Sequence, residues 1–344
     1  MAQVECNTKS ISKDRHVLLI GGTGYIGCPV TSLLLESGYK VRNLDLLTYG
    51  HQAAMMGHML SDGYDFAFGS MGCSKALDEA LDGITDVVLL AGLVGDPITK
   101  KLPDESHAIN DKAVLACIDH LNGKNLRNVI FVSTCSNYGK IDENEIADEE
   151  HALEPLSAYA RSKVGAEQHI LSMKDKVDYS PTILRFATAF GMAPRMRFDL
   201  TVNEFTRDLY LDKELLVYDA DTWRPYCHVK DFARLIRKVL QSDTQKTAFQ
   251  VFNAGSNENN YTKQGIVDLI CERLPNRKVS YNENSSDPRN YRVNFSKLNN
   301  ELGFECKYSV ADGIDELIAG LEEHLFDDVE ARELFYGNYG VIRH

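Results

Sequence analysis

His16-Val-Leu-Leu-Ile-Gly21-Gly22-Thr23-Gly24-Tyr25-Ile26-Gly27 is an apolar run that passes into glycines and then into a helical pattern. Glycines in that position permit a tight turn, a close backbone approach to a pyrophosphate, and contact between helix and strand. The helix start adds free N–H groups and partial positive charge, which favour phosphate. A second strand follows and ends in Asp45, an acid placed to accept hydrogen bonds from the hydroxyls of an adenosine ribose. It would repel a 2′-phosphate, so the pair of features favours NAD over NADP. Arg42, three residues earlier, slightly weakens that preference.

Outward from this loop, short apolar runs alternate with amphipathic stretches. Residues 16–20, 40–44, 66–68, 86–90, 128–132 and 182–186 read as strands, and 25–37, 110–121 and 157–173 as helices. Several strands are almost continuously apolar, as expected when helices cover both faces of a parallel sheet. The alternation predicts a doubly wound α/β fold over residues 15–191. Beyond Gly191 the rhythm breaks. Residues 192–228 read as irregular apart from a helix at 200–211, followed by elements at 249–253, 262–273 and 310–325. This predicts a smaller substrate-binding region, 192–325, folded against the first, with part of 228–255 returning to it. Residues 326–344 read as a tail covering the surface or a partner subunit.

The formal charge is −13 and no basic cluster stands out, which argues against a nucleic-acid partner. Eight scattered cysteines with no CxxC pair argue against zinc and against a disulfide scaffold. Cys227 and His228 are adjacent but lack a second ligand pair, so no metal is expected; both read as packing at the domain junction, with Asp231 capping the next helix. Residues 1–14 have no apolar segment of a leader, and no run of about 18 apolar residues exists. The expectation is a cytoplasmic chain without a membrane span.

Two segments carry candidate chemistry. Ser133-Thr134-Cys135-Ser136-Asn137-Tyr138-Gly139 sets small hydroxyl residues at the carboxyl end of a strand, where open α/β sheets bind ligands. Tyr159-Ala-Arg-Ser-Lys163 puts a phenol and an ammonium four apart on one helical face. A phenol with its ordinary pKa of about 10 is a poor base near neutrality. A neighbouring ammonium stabilises the phenolate and makes proton abstraction from an alcohol feasible, with Thr134 orienting the alcohol oxygen.

As an ordered set with Leu90-Ala91-Gly92, Leu184-Arg-Phe186-Ala-Thr188-Ala-Phe-Gly191, Pro194-Arg195-Met-Arg197, Arg224-Pro-Tyr-Cys-His-Val-Lys-Asp231 and Asp287-Pro-Arg289-Asn-Tyr291, these motifs resemble a known family. The chain looks like an extended short-chain dehydrogenase/reductase of the NAD-dependent nucleotide-sugar epimerase/dehydratase group. The resemblance implies a Rossmann-type domain and a homodimer paired through the helices at 110–121 and 157–173. It implies Tyr159 as base, Thr134 as its partner on the reacting hydroxyl, and Lys163 on the nicotinamide ribose. Gly21, Gly24, Tyr25, Ile26, Gly27, Asp45, Ser70, Met71, Leu90, Ala91, Gly92, Phe186 and Thr188 would line the cofactor. Asn110, Cys135, Ser136, Arg195, Asn203, Arg224 and Arg289 would face the substrate, the arginines because guanidinium grips phosphate in a fork.

Dehydratases of the group carry an acid just after the threonine. Here Cys135 and Ser136 stand there, and neither does the work of a carboxyl group, which disfavours 4,6-dehydration. C4 epimerisation and net C4 oxidation or reduction both remain. Cys135 is open to two readings, a thiol acid/base or a small residue lining the pocket. The adenine-contacting Asp usual after the third strand is replaced by Gly69-Ser70-Met71, with Ser70 able to make the same hydrogen bond.

Overall fold

A computed structural model describes residues 14–142, 144–283 and 289–342. The residues before Asp14 that were read for a leader, and Asp287 and Pro288 of the 287–291 motif, lie outside the described residues. A seven-stranded parallel sheet forms the centre. Its strands are β1 His16–Ile20, β2 Lys40–Asp45, β3 Tyr64–Phe68, β4 Asp86–Leu89, β5 Asn128–Thr134, β6 Ser180–Phe186 and, far along the chain, Gln250–Ala254. The last is β10 once three short strands are counted before it: β7 Thr188–Phe190, β8 Leu215–Tyr218 and β9 Trp223–His228. The sheet order is β10-β6-β5-β4-β1-β2-β3.

The apolar runs become central strands because both faces are covered. Val17 and Leu19 of β1 share one core with Leu34 and Ile236, on the helices Gly27–Glu36 and Val229–Gln241. Leu18 and Ile20 point the other way, into a core with Ile118 and Ile170 on Val114–His120 and Ala158–Ser172. Side-chain alternation with a period of two thus feeds two layers from one run. β5 is buried over all seven residues. The doubly wound parallel sheet expected from the sequence is present, and its order reverses between β1 and β4, which opens a crevice at their carboxyl ends.

A third core gathers Phe198, Phe205, Val217, Ile266, Ile314 and Tyr336. Over it lie two small sheets: β7, β9 and β11 (Asn260–Thr262), and β8 paired with β12 (Val279–Asn282). The stretch 192–228, read as irregular around one helix, therefore holds β8 and β9 as well; strands of 4 and 6 residues with non-local partners carry little local signal. β2 ends at Asp45 and β5 at Thr134, which carries the two candidate side chains to the carboxyl edge of the sheet. The helix read at 110–121 begins earlier, with wide turns over His107–Ala113.

Asp231 does not cap the following helix. The His228 ring accepts the Lys230 N–H there, 3.1 Å away. Asp231, buried in the first turn, accepts the backbone N–H groups of Lys307 and Tyr308 instead and ties that segment to the helix.

Candidate active site

A cleft of about 460 Å³ runs along the carboxyl ends of the strands, a size suited to small-molecule ligands. At one end lies the glycine loop. Gly21 has φ +86°, and a Cβ there would sit 2.8 Å from Ala91 Cα. Gly27 is closed in by Gly22 O, 2.5 Å from a would-be Cβ, so it serves helix–strand contact. Gly24 lines the cleft and has only Gly21 O near a would-be Cβ, at 3.4 Å. The three glycines thus divide into turn, packing and approach, as a backbone cradle for a pyrophosphate requires. The Asp45 carboxylate accepts from Thr23 N at 3.2 Å and Leu47 N at 2.8 Å while facing the cleft. Thr23 Oγ1 is in turn 2.9 Å from His51 Nε2, and burial pulls that imidazole down to about 4, so it stays neutral beside the acid. Arg42 is committed elsewhere, to Asp65 and to the carbonyls of Ala80 and Asp82. These residues fit a dinucleotide without a 2′-phosphate.

Tyr25, Ile26, Ser70, Met71, Leu90, Ala91, Gly92, Phe186 and Thr188 also line the cleft. Ser70 Oγ accepts the Gly72 N–H, which fixes the turn after β3.

At the middle, Thr134 closes β5, and its Oγ1 accepts the Ser136 N–H at 3.1 Å. Ser157 caps the helix Ala158–Ser172 and sets Tyr159 and Lys163 on the cleft wall. Lys163 Nζ donates to Val132 O at 2.8 Å and lies 5.8 Å from the Tyr159 ring centre. Burial lowers its pKa to about 8, with only the Glu167 charge opposing. The three candidate catalytic residues therefore come together on one wall.

At the far end Arg224 lies over the Tyr291 ring and donates to Arg289 O at 2.6 Å. Ser136 Oγ is 3.2 Å from the Tyr291 hydroxyl, and Arg289 shares this wall.

Three residues expected to face the substrate, Asn110, Asn203 and Cys135, are buried and are not among those that line the cleft. Asn110 spends its amide on Leu93, accepting from its N–H at 2.8 Å and donating to its carbonyl at 2.9 Å. Asn203, wholly buried, accepts from Gly191 N and donates to Arg197 O and the Tyr25 hydroxyl. Cys135 donates to Arg185 O, and burial pushes its thiol up, which opposes formation of a thiolate. Both asparagines shape the cleft through backbone. Arg195 does line it, with its guanidinium over the Tyr49 ring.

Sequence reasoning missed several wall residues: Tyr49 and His51 after β2, Asp199, which pairs with Arg197 of a quoted motif, Lys263, and Asn338. Tyr291 stood inside a quoted motif and was passed over for its arginine. Nothing local marks Asn338, which arrives from the chain's far end.

The chain is 24% identical over 332 residues to UDP-arabinose 4-epimerase 1 of Arabidopsis thaliana, covering 86% of this chain and 76% of that protein. Its fold resembles UDP-glucose 4-epimerase of Thermotoga maritima, with a TM-score of 0.79 at 22% identity over 90% of this chain and 99% of that one. It also resembles a dTDP-glucose 4,6-dehydratase of Streptomyces venezuelae, with a TM-score of 0.80 at 22% identity over 90% and 97%. The family model for NAD-dependent epimerases and dehydratases matches residues 17–255, which span the glycine loop, Asp45, Thr134, Tyr159 and Lys163. The chain belongs to the NAD-dependent epimerase/dehydratase family.

Proposed function

We propose that the chain is a nucleotide-sugar 4-epimerase using NAD. The observation that carries the reading is the convergence of Thr134, Tyr159 and Lys163 on one wall, with no carboxyl group at 135 or 136. Tyr159 takes the proton of the sugar's 4-hydroxyl, which Thr134 orients, and Lys163 favours the phenolate and holds the cofactor's ribose. NAD, when bound, would supply a reversible hydride acceptor for C4. Reduction of the 4-ketone on its opposite face gives the epimer, and Tyr159 gives the proton back. Arg224 and Arg289 suit a diphosphate at the far end of the cleft. The relatives named 4-epimerases support the choice, and a 4,6-dehydration lacks the acid it needs beside Thr134.

The same reading places the protein in the cytoplasm as a homodimer paired through the helices at 110–121 and 157–173. All seven cysteines among the described residues are free thiols, which suits a reducing compartment.

The test is incubation with UDP-pentoses and UDP-hexoses, following product NMR together with absorbance of reduced nicotinamide. The expected outcome is the C4 epimer without accumulating NADH, and a kcat about 100- to 10,000-fold lower in Tyr159→Phe. Stoichiometric NADH would convert the reading to a C4 dehydrogenase, and a 6-deoxy-4-keto product to a dehydratase.

A further inference from the structure

Arg195 is 2% exposed and is held by neutral groups alone. Its Nη2 donates to Asn338 Oδ1 at 2.7 Å and to Gly337 O at 3.3 Å, and its Cζ lies 4.5 Å from the Tyr49 ring centre. Among the described residues no carboxylate forms an ion pair with it, and its Nε is buried without a partner. Arg197, by contrast, is matched by Asp199 at 2.5 Å. A buried guanidinium with an unused donor and no carboxylate in contact is costly, because its charge is stripped of water and only the charge of Asp199, already in contact with Arg197, opposes that from a distance. Burial and the neighbouring Arg197 charge accordingly pull Arg195 down to about 10. Such an arrangement is relieved when an anion enters.

The position of Arg195 says which anion. Its charge is felt at Cys28, in the first turn of the helix after the glycine loop, and at His51 beside Asp45. Arg197 carries the backbone carbonyl that Asn203 ties to the Tyr25 hydroxyl. These are all surroundings of the glycine loop. Asn338 joins Arg195 to the segment after β4, since its Nδ2 donates to Val94 O at 2.7 Å.

We propose that Arg195 binds the pyrophosphate of the dinucleotide cofactor, and that the C-terminal segment through Asn338 is the element that seats it. The cofactor site is then completed by a residue from the second region and by the end of the chain. The sequence had placed Arg195 on the substrate, and the proposal reverses that assignment; it rests on the NAD reading above.

The experiment measures binding of NAD and of UDP separately, by calorimetry, to the full-length chain and to Arg195→Gln, Arg195→Lys and Asn338→Ala. Arg195→Gln should weaken NAD binding about 10- to 100-fold, the range of a charge-assisted hydrogen bond, and leave UDP within about twofold. Arg195→Lys keeps the charge without the fork and should fall between. Asn338→Ala, which leaves the arginine in place but unseated, should weaken NAD by about 3- to 10-fold. If Arg195→Gln does not fold, the Lys and Ala variants decide by the same comparison. Unchanged NAD binding with weakened UDP would overturn the proposal and return Arg195 to the substrate. Failure of the unaltered chain to bind NAD would sink the cofactor reading, and the proposal with it.

Discussion

Lys163 shows how the role proposed for it opposes stability at a single residue. Its ammonium is buried against the Phe131 ring and Val132 O, and burial lowers its pKa from 10.5 to about 8. The folded chain thus holds this proton less tightly than the unfolded chain. The resulting penalty is present in full below about pH 8 and declines as pH rises from there toward 10.5. That interval corresponds to on the order of 3 kcal/mol. Measured without cofactor, the unfolding free energy of the unaltered chain relative to Lys163→Met should rise by about 2 kcal/mol between about pH 7 and about pH 9.5. A difference that does not move with pH would show that the lysine is solvated or paired. At this scale the sequence was legible in which side chains meet, as at Thr134, Tyr159 and Lys163, which line one cleft. It was not legible at Asn110 and Asn203. An amide offers the same donors and acceptor to a ligand as to a backbone, and only the fold shows that Leu93, Gly191 and Arg197 take them.

The turn that carries Thr134 and Ser136 is held by the element behind it. Glu167, on the Tyr159 helix, accepts from the Ser133 hydroxyl, from Asn137 Nδ2 at 2.8 Å and from Arg185 Nη2 at 2.8 Å. Arg185 reaches on to the Tyr138 hydroxyl at 2.9 Å, so β5, β6 and the helix share one buried network. Removing one partner leaves a buried charge uncompensated. Glu167→Leu should therefore cost about 3–5 kcal/mol in denaturant unfolding, and Arg185→Leu a similar amount. The double variant should lose clearly less than the sum of the two, since neither charge is then left alone. Additive losses would mean that the two side chains act independently. This pairing was hidden in the sequence because Arg185 and Glu167 lie on different elements, whereas the strands and helices announced themselves by periodicity. The short strands of the second region were hidden for a related reason, as their pairing partners are distant: β9 meets β7 and β11, and β8 meets β12.

Taken whole, the molecule is tied together by the segment that the sequence left as a covering tail. Phe335 and Tyr336 enter the third core, where the Tyr336 ring lies 6.2 Å from Phe326 and 6.1 Å from Phe198. The Phe198 N–H donates to Tyr336 O at 2.7 Å. The same segment reaches the first region, with the Ile342 N–H on Thr48 O at 2.7 Å and Lys101 Nζ on Tyr339 O at 3.0 Å. A tail that merely covered the surface would bury no aromatic rings and cross no boundary, so ending the chain after Arg332 distinguishes the two roles. Loss of two buried aromatic side chains costs roughly 3–5 kcal/mol each when the site does not refill. Spread over a chain of this length, that predicts a fall in Tm on the order of 10 °C by calorimetry. The contacts to Thr48 and Lys101 add a second expectation. With the tail gone the two regions lose a shared strap, and the single unfolding transition should broaden or split. A truncated chain that melts within about 2 °C of the full one, in one sharp step, would reduce the segment to surface cover.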